Sequence, residues 1–292
     1  MKRITLLLLS SLILPASSLV LASSTIDTNN AYAYGANIGW INAHADGTNG
    51  AAVGEFYCSG YIYSGNVGWI SLGTSNGPVN GYSYSNLSST DWGVNNAGGG
   101  QLYGMAYGAN IGWITFEQTY GQPRVDLATG NLTGYAYSAN CGWISLSNSV
   151  AVLQTDSVSP GPVDGNGLPV AWELENFGGT NVDPNADPDG DGMSNAQEYQ
   201  AGTNPNDPNS RLRITALNAN AGGSTATITW TSVPSRLYQV QSRDSLLTGT
   251  WGTNSPPGLV SPDLGSTTTR GVPGTATSNR FFRVQAIMPL SP

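Results

Sequence analysis

The sequence predicts a mainly β, modular chain: tandem antiparallel β-meander repeats of solenoid or sandwich-like form, a short acidic connector with one or two short helices, and a C-terminal β-sandwich. Three observations carry that prediction. A Tyr/Trp/Gly unit recurs through residues 31–149. Ten of the eighteen carboxylates crowd between Asp156 and Asp207. Residues 211–288 then carry alternating strand patterns separated by Pro and Gly clusters.

Ahead of the repeats, residues 1–22 read as an export signal. Lys2 and Arg3 open it, an apolar run follows to about Leu21, and Val20-Leu21-Ala22 places compact residues before a cut. Pro15 and several serines interrupt the run and no second apolar run follows, so cleavage and secretion are expected rather than membrane insertion. After this segment lysine is absent, and eight arginines face eighteen carboxylates. That balance argues against nucleic acid and anionic membranes as partners. Outside the acidic connector charge is sparse, with six carboxylates and one arginine, Arg124, in residues 23–155.

The repeat has four plain copies: Tyr32-Ala-Tyr-Gly-Ala-Asn-Ile-Gly-Trp40-Ile, Tyr61-Ile-Tyr-Ser-Gly-Asn-Val-Gly-Trp69-Ile, Met105-Ala-Tyr-Gly-Ala-Asn-Ile-Gly-Trp113-Ile and Tyr135-Ala-Tyr-Ser-Ala-Asn-Cys-Gly-Trp143-Ile. Gly81-Tyr82-Ser-Tyr84-Ser-Asn86, followed by Trp92, reads as a fifth, degenerate copy. Tyr-x-Tyr alternates with small residues at period two, Trp-Ile begins a second strand, and Asn-x-Gly supplies residues that tolerate positive φ in the turn between them. Trp92–Val94 and Arg124–Leu127 each predict a preceding strand. One such unit cannot bury its aromatics alone, so stacked units are expected, as a continuous array or a closed ring of sheets. Their short spacing favours a compact solenoid or meander sandwich over a propeller, whose blades run to about 40 residues. The unit resembles a repeat of secreted proteins from environmental bacteria, which implies fold more than activity.

Two cysteines in a secreted chain suggest a disulfide. The alignment of copies points elsewhere. Cys141 stands where the others have Ile38, Val67 and Ile111, and Cys58 stands where Leu102 and Leu132 do, so two buried thiols are expected. For the Tyr and Trp residues the leading expectation is core and cross-strand packing. The alternative is a row of exposed rings that stack on sugars.

In the connector, Asp187-Pro-Asp189-Gly-Asp191-Gly192-Met193-Ser-Asn195-Ala-Gln-Glu198 fits a twelve-residue calcium loop throughout. Asp187, Asp189 and Asp191 supply side-chain oxygens, Gly192 makes the turn, and Met193 offers its carbonyl. Asn195 reaches the ion directly or through water, and Glu198 closes the loop with both carboxylate oxygens. Oxygen donors without His or Cys favour calcium over zinc. Pro184 and Pro188 prevent an entering helix, whereas a short exiting helix ended by Gly202 is expected. Gly161–Glu173 looks like a decayed partner loop through Asp164, Asn166, Gly167 and Glu173, and Asp183 and Asn185 extend the acids upstream. Gly167-Leu-Pro-x-x-Trp172-Glu, Phe177-Gly and the Asp-x-Asp-Gly-Asp-Gly loop with Tyr199-x-Ala-Gly-Thr203-Asn-Pro205 resemble the bacterial thrombospondin type 3 repeat, over about 160–207. The resemblance implies a calcium-stiffened connector, residues 160–210, in an extracellular protein. It carries Asp187, Asp189, Asp191, Met193, Asn195 and Glu198 over as ligands.

Beyond it, Leu212–Leu217, Ala226–Ser232, Leu237–Arg243 and Arg280–Ala286 read as strands of a small sandwich over 211–288. Thr-Ile-Thr-Trp230, Leu-Tyr238-Gln-Val and Phe281-Phe282-Arg-Val resemble fibronectin type III strands. No catalytic constellation is legible: His44 stands alone, and Asp46, Glu55, Asp91, Glu117 and Asp126 share no motif. The sequence therefore predicts a non-enzymatic, secreted, calcium-binding structural, adhesion or matrix protein. Its alternative is a carbohydrate- or surface-binding protein using the repeat aromatics, with polysaccharide or cell-surface components as partners.

Overall fold

The computed structural model describes residues 24–46, 48–219, 225–252, 258–273 and 280–291. The expected export signal lies outside the described residues. Each plain repeat forms one hairpin: β1 (Ile26–Gly35) with β2 (Gly39–Asn42), β3 (Tyr61–Ser64) with β4 (Gly68–Ser71), β6 (Leu102–Gly108) with β7 (Gly112–Phe116), and β10 (Tyr135–Ser138) with β11 (Gly142–Ser145). The register repeats in all four, with Tyr34 opposite Trp40, Tyr63 opposite Trp69, Tyr107 opposite Trp113 and Tyr137 opposite Trp143. Neighbouring hairpins also join by one rule. The residue two beyond each Trp faces the Tyr of the next copy: Asn42 with Tyr63, Ser71 with Tyr107, Thr115 with Tyr137, and Ser145 with Tyr34. The last pairing returns to the first hairpin, so the eight strands close into a barrel. The favoured solenoid or sandwich is thereby corrected. Closure pairs the two edges that an open array would leave exposed.

The inside of the barrel is a packed core. Ala33, Ile41, Ile70, Ala106, Ile114, Ala136 and Ile144 are buried, so small and large residues alternate across the lumen. Ile38, Ile111 and Cys141 from the turns close one end, and Leu72, Phe116, Leu146, Cys58 and Leu102 fill the other. Both cysteines are buried free thiols. The rings point the other way. Tyr34, Tyr63, Tyr107 and Tyr137 and the four tryptophans are exposed, packing on each other across strands at centroid distances of 4.9–5.4 Å. The cross-strand packing expected of them is present, and the core role is not: the pleat puts Ala and Ile inside, leaving the outside to the rings.

At the turn end the copies are tied in a ring. Asn66 Nδ2 donates to the carbonyl of Ile38 at 2.9 Å, Asn110 to Val67 at 3.1 Å, Asn140 to Ile111 at 3.0 Å, and Asn37 to Cys141 at 3.1 Å. Each turn glycine, Gly39, Gly68, Gly112 and Gly142, holds φ between 71° and 81°. Its missing Cβ faces the asparagine of the next copy, whose Nδ2 stands 3.2–3.6 Å from where that atom would be. The asparagines themselves are not in the positive-φ region, so their place in the motif comes from the side-chain bond.

Residues 81–92 do not form a fifth hairpin. Asn86 stands six residues before Trp92, whereas three separate Asn37 from Trp40, so the tight turn cannot form. Tyr84 is instead buried against Gly73 and Gly93, and Trp92 packs on Tyr107 and Trp113. Around the barrel, β5 (Val94–Asn96) pairs with β6, while β8 (Arg124–Val125), β9 (Asn131–Thr133) and β12 (Leu153–Thr155) extend from β1. The connector holds α1 (Val170–Phe177) and α2 (Asn195–Ala201), each ended by a left-handed glycine, Gly178 and Gly202. It has a small apolar centre of its own, Leu168, Trp172 and Tyr199, reached by Phe56 from the barrel side and Met288 from the C-terminal side.

C-terminally, β13 (Ile214–Ala219), β14 (Thr225–Thr231) and β16 (Thr267–Pro273) form one sheet, and β15 (Leu237–Arg243) pairs with β17 (Phe281–Ile287). Ile228, Trp230, Tyr238, Val240, Val260 and Val272 share the core between them. The strand β16 was not anticipated: Thr-Thr-Thr-Arg lacks apolar alternation, yet Thr268 and Val272 are its buried positions.

Candidate metal centre

The loop from Asp187 to Glu198 is shaped by its own carboxylates. Asp187 accepts from the N–H groups of Gly190 and Gly192, Asp189 Oδ1 from Asp191, and Asp191 Oδ1 from Met193, at 2.8–3.1 Å. Gly190 and Gly192 take φ of 77° and 95°, which bends the chain so that oxygens of Asp187, Asp189 and Asp191 lie within 4.8 Å of one another. Ser194 caps α2 in a reciprocal box with Gln197. The first helical turn then carries Asn195 and Glu198 beneath the aspartates. Asn195 is oriented by its amide, which donates to the carbonyl of Asp183 at 2.8 Å.

Five oxygens in this loop are buried without a hydrogen-bond partner: Asp189 Oδ2, Asp191 Oδ2, Asn195 Oδ1 and both oxygens of Glu198. Buried acceptors are nearly always satisfied, so five orphans at one point mark a missing partner. Burial, with Asp189, Asp191 and Asp187 close by, pushes the Glu198 carboxyl up to about 7 in the bare loop. A cation at the Asp187–Asp189–Asp191 group would relieve the crowding of negative charge there. Acceptors of this kind, without nitrogen or sulfur, suit a hard divalent ion. The donors fit calcium, which the Asp187, Asp189 and Asp191 carboxylates would hold, with Asn195 and Glu198 bringing further oxygens from α2. Met193 stands at the carbonyl position, with its side chain packed on the C-terminal core.

Residues 187–208 match the bacterial TSP3 repeat. That family is calcium-binding, and the TSP3 match covers the loop, α2 and the turn after it. It covers a segment and leaves the barrel and the terminal sheets without a named relative. No curated protein and no solved structure matches the chain.

In the upstream half of the connector the protein itself pairs Asn166, Asp164 and one oxygen of Glu173, and Glu173 Oε2 stays buried without a partner. Asn166 Nδ2 donates to Glu173 Oε1 at 2.7 Å and to the carbonyl of Val182 at 2.8 Å, and the N–H of Val182 reaches the same Glu173 oxygen. The Asn166 amide thus pairs one oxygen of Glu173, while Asp164 accepts from the backbone N–H groups of Asn166 and Asn181. Asp183 likewise ties its own turn through the N–H of Asn185. Among the described residues the Asp187–Asp189–Asp191 group is the one cluster of three such side chains.

The joint around the TSP3 repeat uses residues that sequence reasoning passed over. Arg236, from the C-terminal sheets, donates to Glu55 Oε1 at 2.8 Å, to the carbonyl of Gln200 at 3.0 Å and to that of Tyr199. Glu55, from the barrel side, accepts from the Tyr199 hydroxyl at 2.9 Å. Burial and the Glu55 carboxylate push the Tyr199 hydroxyl far up, which keeps it a donor. The end of α2 therefore meets both β modules, within a turn of Asn195 and Glu198. The other carboxylates of the barrel region tie turns: Glu117 accepts from the N–H groups of Thr119, Tyr120 and Gly121, and Asp46 from Thr48 and Asn49.

Proposed function

We propose that the chain is a secreted, calcium-binding structural or adhesion protein, non-enzymatic, in which calcium stiffens the joint between an aromatic β-barrel and a terminal β-sandwich. One observation carries this. α2 carries Asn195 and Glu198, whose side-chain oxygens are buried without partners, and the same helix presents Tyr199 and its last carbonyls to Glu55 and Arg236. Coordination free energy spent on closing the loop becomes free energy of holding α2, because the loop's carboxylates repel until an ion joins them. A bare loop with five unpaired buried oxygens leaves α2 weakly held. The TSP3 match supports an extracellular setting. Among the described residues no helix is long and apolar enough to cross a membrane.

Isothermal calorimetry on the full chain tests the site. The expected result is one calcium binding event, abolished in Asp189→Ala. Heat unchanged in that variant refutes the assignment.

A further inference from the structure

The barrel's outer face carries rings and little charge. Outward positions on its eight strands hold Tyr, Trp, Asn, Ser, Thr and one Met, and the one charged side chain on these strands is Asp27 at the start of β1, tied to the N–H groups of Asn29 and Asn30. Close to half of each repeat indole stays in water: Trp40 is 47% exposed, Trp69 and Trp113 are 45%, and Trp143 is 44%. Four equivalent patches of this kind ring one barrel. Soluble proteins rarely keep exposed apolar surface of this extent unless something binds it. A spanning barrel is a poor match, because apart from β1 these strands run four to seven residues against about 9–11 for a membrane strand, and the lumen is apolar.

One patch is also a groove. Asn29, Asn30, Tyr32, Trp40, Val150 and Val152 line a space of about 420 Å³ beside the first hairpin. Asn30 is fixed by its bond to Gln154 at 2.9 Å, and Tyr32 packs edge-on to Trp40 at 5.9 Å. Rings offer flat apolar walls to the C–H faces of a pyranose, and amides offer donors and acceptors to its hydroxyls. With one carboxylate, Asp27, beside the groove and no base on these strands, the face disfavours anions and suits a neutral ligand, and the acidic chain as a whole repels polyanions.

We propose that the barrel binds a neutral polysaccharide, with the Tyr32–Trp40 groove as the main subsite and the three other Tyr–Trp pairs as repeated stacking contacts. A polymer that reaches two or more pairs gains affinity through effective concentration without new chemistry. This binding is independent of the calcium joint.

The test is affinity electrophoresis of the full, calcium-loaded chain in gels containing galactomannan, hydroxyethyl cellulose, xylan or a β-1,3-glucan. Alginate gels and flotation with phosphatidylcholine vesicles run alongside. Retardation in at least one neutral glycan is expected, weakened about fivefold to tenfold by Tyr32→Ala with Trp40→Ala, and less by Trp143→Ala. Trp40→Phe, which keeps a ring, retains most of it, and Asp189→Ala retains it all. Should the alanine variants misfold by circular dichroism, acrylamide quenching of the parent's tryptophans decides: added glycan protects them, and unaltered quenching overturns the proposal. So does the absence of retardation in every neutral glycan, retardation that the double variant leaves unchanged, or binding confined to alginate or vesicles. A dimer that the double variant dissolves, without glycan binding, assigns the face to a second copy and also overturns it.

Discussion

Arg236 takes its charge into the protein, with its side chain 3% exposed and that of Glu55 at 15%. The pair's net worth is modest, because both charges give up water, but removing one partner leaves the other stranded at a cost of about 3–5 kcal/mol. Arg236→Met is therefore expected to destabilise by about 3 kcal/mol in chemical denaturation. Glu55→Gln should cost less, since the amide oxygen still accepts from Arg236 and the amide nitrogen can donate to the Tyr199 hydroxyl oxygen. A loss below about 0.5 kcal/mol for Arg236→Met would mean that water reaches the pair. The Asp187–Asp189–Asp191 cluster was legible in the sequence because its members lie within one twelve-residue loop with fixed offsets. Glu55 and Arg236 were not, because 181 residues separate them and neither stands in a motif. Asn166 was read as a possible ligand position of a decayed loop. Its amide nitrogen turning on Glu173 depends on packing that spacing does not encode.

Among the elements, the hairpins were readable down to the Tyr-x-Tyr and Trp-Ile strands, since period two and an Asn-x-Gly turn are local signals. What the asparagine does was not. Its side chain crosses to the neighbouring copy, so a residue that local reasoning assigns to turn conformation is a tie between hairpins. Asn66→Ala should lower stability by about 1 kcal/mol by removing the shorter of two side-chain bonds to the Ile38 carbonyl, the other being the 3.4 Å contact from Ser64 Oγ. An exposed control, Asn209→Ala, should change little. Equal melting of the two variants would show that the ring contributes nothing. The failed fifth copy teaches the same lesson: Tyr84 and Asn86 share the lettering, but the longer interval to Trp92 removes the turn, and Tyr84 goes inward. On α2, replacing Gly202 with Ala should strain the cap, as φ is 72° there and a Cβ would meet Val233 at 2.9 Å and the Ser235 hydroxyl at 3.0 Å. A melting shift of several degrees, reversed by D-alanine in a semisynthetic chain, would assign the effect to the backbone.

For the whole molecule, closure of the barrel could not be read from the repeat. Identical registers serve an open array and a ring equally well, and only the pairing of Tyr34 with Ser145 distinguishes them. The outward direction of the rings follows from the same event, since closure commits the Ala/Ile face to the lumen. The chain then folds back on itself. The Val158 N–H donates to the carbonyl of Leu290, and Leu290 packs on the barrel core, so both β modules meet at the connector. Because Asn166 and the Leu168–Trp172–Tyr199 centre hold the upstream half of the connector, calcium removal should loosen mainly residues 183–202. Hydrogen exchange of the full chain, with calcium and after chelation, tests this most directly. The account predicts that the α2 amides lose protection on chelation while β2, β4, β7, β11, β14 and β15 keep theirs. Unchanged protection in α2, or loss spread evenly through the barrel strands, would contradict it.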